Sequence, residues 1–399
     1  MNKKKVMIFG AGINQVSLIQ ACNELGCESV VIDPSINPPG KKIASHYFIV
    51  SSDDYNLTKE IAIKMNVSGI VTSQMENPLN IMAKLAKELG YIFNLPETIE
   101  RSTNKFLMKQ AFLKHNISCA KGMLFNNKEE LTELQLSSFA YPLIIKPVDS
   151  HSSRGVYRVN NFSELLEHID ETISFSKINQ FLIEEYIEGK EYSIESVTYK
   201  GKTTVIQYTD KIITPFPNVV EMGHIQPAEL SIKEKEQINS IVTRAIFALG
   251  INNTVTHTEL KITPEGPVII EIGARMGGDF ISSYLTKASC GVDLDKASVK
   301  ICLGDKPDLA IRKQKHSYVK YILLPTDKTI QKINDLTFLE KKEDIVFIHL
   351  YVKEGDKVLS VKHSGNRSGV FIVTSDSRTE LIKKAEYYSD QLINSIKIN

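Results

Sequence analysis

Between Asn253 and Phe280 the chain reads N-T-V-T-H-T-E-L-K-I-T-P-E-G-P-V-I-I-E-I-G-A-R-M-G-G-D-F, and this stretch restricts the fold more than any other. Two β-rich runs, 254–262 and 267–273, flank the turn Thr263-Pro264-Glu265-Gly266-Pro267, which predicts a hairpin. A loop centred on Glu265 puts Glu259 directly opposite Glu271, each six residues from the centre. Side chains alternate along a strand, so His257 and Glu259 share a face with Glu271, Gly273 and Arg275. Directly opposed residues have Cβ atoms ~5 Å apart, where like charges are destabilising. Two carboxylates ~4 Å apart repel by roughly 4 kcal/mol at an effective dielectric of about 20. Something cationic belongs between them. Paired hard oxygen ligands suit Mg²⁺, or Mn²⁺ in its place, together with a substrate phosphate. The plainer alternative, an exposed hairpin with two unpaired glutamates, leaves Val268-Ile269-Ile270 and the glycines after Arg275 unexplained.

The 399 residues have room for two or three domains, each with its own core. A net charge of +1 provides no global field for nucleic acid or an anionic membrane, so any bound anion must be held locally. The five cysteines, Cys22, Cys27, Cys119, Cys290 and Cys302, form no C-x-x-C pair and read as reduced thiols of a cytoplasmic protein. Lys3-Lys4-Lys5 precedes an apolar run that meets Gly10 after four residues, too short for a signal peptide, and no later segment approaches a membrane span.

Strands at 5–9, near 28–33, 47–50 and 69–72 alternate with helices at 13–25, 56–65 and 76–89, the pattern of a parallel α/β unit. Gly10-x-Gly12 lacks the third glycine of a dinucleotide fingerprint, since Gln15 stands there, although Asp33 occupies the place of a ribose-binding acid. An NAD site and a glycine turn serving strand–helix packing are the two readings. Helices are expected at 103–115, 127–136, 232–249 and 293–303, and a hairpin at 191–209 around Lys200-Gly201. From about 311 a smaller α+β cap alternates strands (317–324, 345–352, 369–374) with helices (328–336, 378–396).

Lys146 ends the apolar strand Leu143-Ile144-Ile145, so its ammonium projects from a buried edge toward the next loop. That loop contains Ser150, Ser152, Ser153 and Gly155, whose hydroxyls and approachable amides have the composition of an anion nest. Together they read as a phosphate clamp, against a plain surface loop. Glu184-Glu185-Tyr186-Ile187 leaves a strand toward Gly189, and its backbone suits an adenine edge, with Glu191 in reach of ribose hydroxyls.

The ordered set of Lys105 on a helix, Lys146 with its Ser/Gly loop, E-E-Y-I with Glu191, Glu259, and Glu271-Ile272-Gly273-Ala274-Arg275 resembles the ATP-grasp superfamily of carboxylate–amine ligases over roughly residues 1–310. The resemblance implies an N-terminal pre-ATP-grasp domain at 1–100, a linking helix and lid at 101–187, a catalytic half at 188–310 and the cap at 311–399. It implies Lys105 and Lys146 on the α- and β-phosphates of ATP, with Ser150, Ser152, Ser153 and Gly155 over the γ-phosphate. Glu184, Glu185, Tyr186, Ile187 and Glu191 then hold adenine and ribose, Glu259 and Glu271 bind Mg²⁺, and Arg275 stabilises the acyl phosphate and tetrahedral intermediate. Glu221-Met222-Gly223-His224 is similar to the segment by which L-amino-acid (dipeptide) ligases of the bacilysin-synthetase type place substrates. There Glu221 would meet an α-ammonium and His224 the reacting carboxyl. The implied partners are a small carboxylate and an amine.

Two residues depart from that pattern. Gly273 replaces a frequent Asn, and Asp279 replaces a bulky aromatic, which suggests a different, larger or cationic nucleophile. The rivals are a bicarbonate-using enzyme of the biotin-carboxylase or carbamoyl-phosphate type, an NAD-dependent oxidoreductase and a non-catalytic ATP-binding module. The tail, with Ser364-Gly365-Asn366-Arg367-Ser368-Gly369, either completes the active site or serves a homodimer interface.

Overall fold

The computed structural model describes residues 3–51, 53–215 and 220–399. In the first hundred residues β1 (Lys5–Phe9), α1 (Val16–Glu24), β2 (Glu28–Asp33), β3 (His46–Ile49), α2 (Tyr55–Lys64), β4 (Gly69–Thr72) and α3 (Leu79–Leu89) follow one another. The strands are parallel in the order β3-β2-β1-β4. Val6 to Phe9 are buried, which is what a strand covered by helices on both faces requires. Gly10 has φ +94°, and a Cβ there would lie 2.3 Å from Met75 Sδ. Asp33 accepts from the Ala11 and Ser35 amides, each at 2.8 Å. The acid in the ribose-binding place is thus spent on holding the glycine turn, as the packing reading expects.

Two helices, α4 (Pro96–Thr103) and α5 (Lys105–Lys114), lead to a small sheet. Asn104 separates them and caps α5 by accepting from the Phe106 and Leu107 amides. The sheet comprises β5 (Gly122–Phe125), β6 (Leu143–Pro147), β7 (Tyr157–Val159) and β8 (Phe181–Glu185) in the order β5-β8-β6-β7, with α6 (Phe162–Ser174) packed on β6. The helix expected at 127–136 is only a 3₁₀ turn, Lys128–Glu130. The Gln135 side chain accepts from both the Thr132 amide and hydroxyl, and such local bonds compete with a helix.

The remainder is built on one eight-stranded sheet of β9 (Lys190–Tyr199), β10 (Lys202–Ile213), β11 (Glu221–Gln226), β12 (Thr254–Thr263), β13 (Gly266–Gly273), β14 (His316–Ile322), β16 (Ile345–Leu350) and β17 (Gly369–Ser375). Their order, β13-β12-β9-β10-β11-β14-β17-β16, runs the sheet from the central hairpin through position 311 into the tail. Helix α7 (Ile232–Leu249) opens with a Ser231/Glu234 capping box and closes on Gly250 at φ +78°. Its stripe Ile238, Ile241, Val242, Ala245, Ile246 and Leu249 is buried in the same core as Leu260 of β12 and Ile269 and Ile272 of β13. Each of its larger side chains contributes about 1.5–3 kcal/mol by leaving water. Helices α8 (Thr286–Cys290) and α9 (Leu294–Cys302) precede β14, and α10 (Thr337–Glu340) and α11 (Arg378–Asn394) cover the tail's strands. The helix expected at 328–336 is instead β15 (Ile330–Ile333), paired with β18 (Ile396–Ile398). Burial of Ile330 and Ile396 in one cluster outweighs the local helical spacing.

The hairpin pairs Glu259 with Glu271, but by a different route from a loop centred on Glu265. Thr263 pairs with Gly266, so the turn is Pro264-Glu265, a centre that by itself would oppose Glu259 to Ile270. A bulge between Glu259 and Leu260 skips Ile270 and brings Glu271 into place. Among the described residues no helix is long and apolar enough to cross a membrane, and all five cysteines are free.

Candidate active site

Helix α5 presents Lys105 and Lys109, four residues apart and hence on one helical face. Lys109 Nζ lies 3.0 Å from Glu184 Oε2 and donates to the Ala120 carbonyl at 2.5 Å. Lys146, at the buried end of β6, donates to the other Glu184 oxygen across the lid sheet. Burial pushes the Lys146 ammonium down; Glu184 opposes that shift and the Lys109 charge adds to it. Burial also opposes ionisation of Glu184, but Lys146 and Lys109 together hold its carboxyl below the usual range. The Glu184 side chain, expected at adenine and ribose, is therefore turned into a lysine pair and fixes the direction of Lys146.

Lys105 Nζ lies 3.3 Å from Glu271 Oε2 and donates to the Ser150 carbonyl at 2.5 Å. Burial disfavours its charge, yet Glu271, Glu76 and Glu259 outweigh that and raise its pKa. This one ammonium ties helix α5, the serine loop and β13 together. In the loop, the Ser150 hydroxyl is buried without a protein partner, and Ser152 and Ser153 are exposed at φ +60° and +54°. Gly155 is different. A Cβ there would sit 2.9 Å from Phe175 and 3.1 Å from Pro147, and its carbonyl accepts from Thr172, so it packs the loop against α6.

Past β8, the Glu185 and Tyr186 amides donate to the Lys121 and Pro142 carbonyls, at 2.9 and 3.2 Å. The Ile187 carbonyl accepts from Lys261 at 2.9 Å, and the same ammonium lies over the Tyr186 ring at 4.3 Å. This segment is held as a fixed edge between the four-stranded and the eight-stranded sheets.

Lys211 of β10, which the sequence reading passed over, draws three of the predicted residues together. Its ammonium is 2.5 Å from Glu191, 3.0 Å from Glu259 and 3.8 Å from Glu221, with the side chain 5% exposed. Burial alone would discharge this lysine, but the three carboxylates raise its pKa well above the ordinary value. Glu259 is further approached by His257 Nε2 at 3.6 Å. The other His257 nitrogen bonds Glu195 at 2.5 Å, and Glu195, fully buried, accepts from Ser282 at 2.5 Å. Burial works against the imidazolium, but Glu195 and Glu259 bring its pKa to about 9. For Glu259 burial is likewise outweighed, by Lys211 and His257, and its carboxyl is held well below the usual range.

No three His, Cys, Asp or Glu side chains converge as a metal cage among the described residues. Glu259 and Glu271, opposed across the hairpin and already holding ammonium groups, form a two-carboxylate donor set. That suits an Mg²⁺ whose other positions go to phosphate and water, the way this ion is commonly held.

Arg275 donates to the Met276 carbonyl at 3.0 Å and meets Glu76 at 3.4 Å, while its buried Nε has no protein partner. A Cβ on Gly273 would meet the Arg275 side chain at 3.4 Å, an ordinary contact distance, so the Arg275 side chain lies against this glycine. His224 of β11 is 2% exposed and bonds Asp279 through Nε2 at 3.1 Å, its Nδ1 lacking a partner. Asp279 is also forked by Arg367 at 2.9 and 3.0 Å. Burial opposes its charge, but His224 and Arg367 hold the carboxyl far below the carboxylate range. Asp279, expected as a small or acidic wall, thus has both oxygens engaged by Arg367 and His224. Ser364 donates to Glu221 Oε2 at 3.2 Å, so the tail reaches the predicted substrate residues.

Of the residues missed, Lys109 was signalled by its spacing from Lys105. Glu195 was signalled only by being a charge inside an otherwise apolar and small-residue strand. Lys211 had no local signal; the sheet order alone brings it to three glutamates.

Residues 139–283 match the model of the ATP-grasp domain, and residues 320–394 match that of the L-amino acid ligase C-terminal domain 2. The L-amino acid ligase from Bacillus licheniformis superposes with a TM-score of 0.84 at 22% identity, over 100% of this chain and 99% of that one. The alanine–anticapsin ligase of Bacillus subtilis is 26% identical over 64% of this chain and 60% of its own length. Carnosine synthase 1 of Homo sapiens is 21% identical over 84% of this chain, which spans only 44% of that relative.

Proposed function

The chain is an ATP-grasp ligase carrying the C-terminal domain of the L-amino acid ligases, and from that premise we propose that it joins a small carboxylate, an amino acid or a similar acid, to an amine through an acyl phosphate. A carboxylate oxygen attacks the γ-phosphorus of ATP and the bond to ADP breaks. The amine nitrogen then attacks the acyl carbon, the C–O bond to phosphate breaks, and the nitrogen loses a proton. One oxygen of the acid leaves as part of the phosphate. The observation that carries this reading is the convergence of Glu191, Glu221 and Glu259 on Lys211, which gathers the residues expected at nucleotide, substrate and metal around one ammonium.

Phosphoryl transfer needs positioning and charge neutralisation more than covalent help. Lys105 and Lys146 bring fixed ammonium groups to the phosphate end, and Lys105 ties in the loop of Ser150, Ser152 and Ser153 through the Ser150 carbonyl. Glu259 and Glu271 would hold Mg²⁺, which would supply further charge neutralisation on the phosphates. Arg275, with an unpartnered buried Nε, offers a donor for charge developing on the acyl oxygen. Glu221 offers a carboxylate to an α-ammonium. The free cysteines agree with a reducing compartment.

The test is isotopic. An acid labelled with ¹⁸O in its carboxyl group, turned over with Mg·ATP and an amine, should deliver one label to the released phosphate. Phosphate without label refutes the acyl phosphate, and turnover that requires added bicarbonate moves the chain to the biotin-carboxylase kind of chemistry.

A further inference from the structure

The tail does more than cover the sheet, and what it does is concentrated in one side chain. Arg367, 8% exposed, follows the short turn Ser364–Asn366 and points back into the catalytic half. Its Nη1 donates to the Glu221 backbone carbonyl at 3.0 Å and to Asp279 Oδ2 at 3.0 Å. Its Nη2 donates to Asp279 Oδ1 at 2.9 Å, and Nε donates to the Ser364 carbonyl at 2.8 Å. The guanidinium plane lies 3.5 Å from the centre of the Tyr321 ring, on the neighbouring strand β14. A planar fork with every nitrogen engaged has little freedom left.

The two residues it holds are those that define the substrate end. Glu221 is gripped twice from the tail, through its carbonyl by Arg367 and through its carboxylate by Ser364. His224 is held at second hand, since Asp279 receives Arg367 on both oxygens and passes one of them to His224 Nε2. Asp279 and Phe280 sit in the left-handed region at φ +52° and +62°, a backbone held by its surroundings.

We infer that Arg367 is a positioning residue of the substrate site, by which the C-terminal tail sets the geometry of Glu221 and His224 and so the choice of substrate. This inference rests on the ligase reading for its kinetic consequence and on contacts alone for its structural one. Asp279 is accordingly part of the wall's frame, and the room where a bulky side chain would stand is set by the Arg367–Asp279 fork. Replacing the fork by a point charge leaves the net charge unchanged but cannot bridge a carbonyl and two carboxylate oxygens.

The experiment compares Arg367→Lys and Arg367→Met with the parent chain, using a panel of the twenty L-amino acids as probes. For the amino acid that turns over, KM should rise on the order of tenfold or more in Arg367→Lys, as displacement of supporting groups commonly does. Binding of Mg·ADP should change less than about twofold, since Arg367 touches none of the phosphate residues. Loss of apparent rate in proportion to folded protein, with KM unchanged, overturns the inference and leaves a structural arginine. Backbone hydrogen exchange provides a second readout that needs no turnover. Residues 221–226 should exchange faster in Arg367→Lys while 190–199 do not, and equal exchange in the variant and parent overturns the inference. If the parent chain forms no product with any probe, the ligase reading fails by itself and the exchange comparison still decides the role of Arg367.

Discussion

Glu259 and Asp279 are both half-buried carboxylates with cations against them, and both are held well below the carboxylate range. They are held differently. Lys211 and His257 approach a single oxygen of Glu259, at 3.0 and 3.6 Å. Asp279 gives both oxygens to one guanidinium and shares the second with His224. An ammonium is a point charge that can be exchanged for another cation, whereas a forked guanidinium fixes its partner. The first cluster leaves its counter-ions exchangeable, and the second holds its neighbours still. A depressed pKa by itself does not tell the two apart; the geometry of the counter-ion does.

The sharpest way to break the comparison is at the exchangeable cluster. Glu271→Gln, like Glu259→Gln, should lower Mg²⁺-dependent turnover by roughly 10³-fold or more, read as rate against Mg²⁺ concentration. Normal turnover at the parent's Mg²⁺ concentration removes the metal role. Arg275→Ala should reduce kcat by about 10²–10³ while Mg·ATP affinity stays within about twofold; equal losses in both contradict its place at the acyl oxygen. Gly277 lies against the His257–Glu195 side of the first cluster. A Cβ there would stand 2.5 Å from His257 Nδ1 and 2.8 Å from Glu195. Gly277→Ala should therefore cost about 1–3 kcal/mol of unfolding free energy, measurable by denaturant titration.

An effect away from turnover concerns a carboxylate that is buried outright. Asp295 on α9 is 2% exposed, and burial, the largest influence on it, raises its pKa to about 7. Its folded pKa exceeds the unfolded one, so the native state keeps a proton that the unfolded chain releases. Stability at this group should therefore fall as pH rises from about 4 to about 7, by up to roughly 1.4 kcal/mol per pH unit, and then level off. Asp295→Asn should flatten that slope without changing kcat. An unchanged slope would show that the proton is not held there.

How much of this was legible depended on distance along the chain. The parallel N-terminal unit and the pairing of Glu259 with Glu271 could be read because they rest on local alternation and a short turn. Even there the right pair came with the wrong turn centre, since the bulge at Ile270 leaves no mark in the pattern. Lys146 could be read as the buried end of an apolar strand. Lys211 and Arg367 could not be placed, because β10 meets β12 through β9, and the tail meets β11 through β14. The failed helix at 328–336 has the same cause: its partner β18 is the end of the chain.

The central claim is that the clustered lysines and glutamates activate a carboxylate with ATP for attack by an amine. It is tested most directly by mixing the purified chain with Mg·ATP and a matrix of amino acids and other amines. Phosphate release and product mass are then followed in each well. A ligase of this kind releases ADP and phosphate in equal amounts with a new amide in at least one well. ATP binding with no ADP release in any well, across acids and amines alike, would contradict it and leave an ATP-binding module.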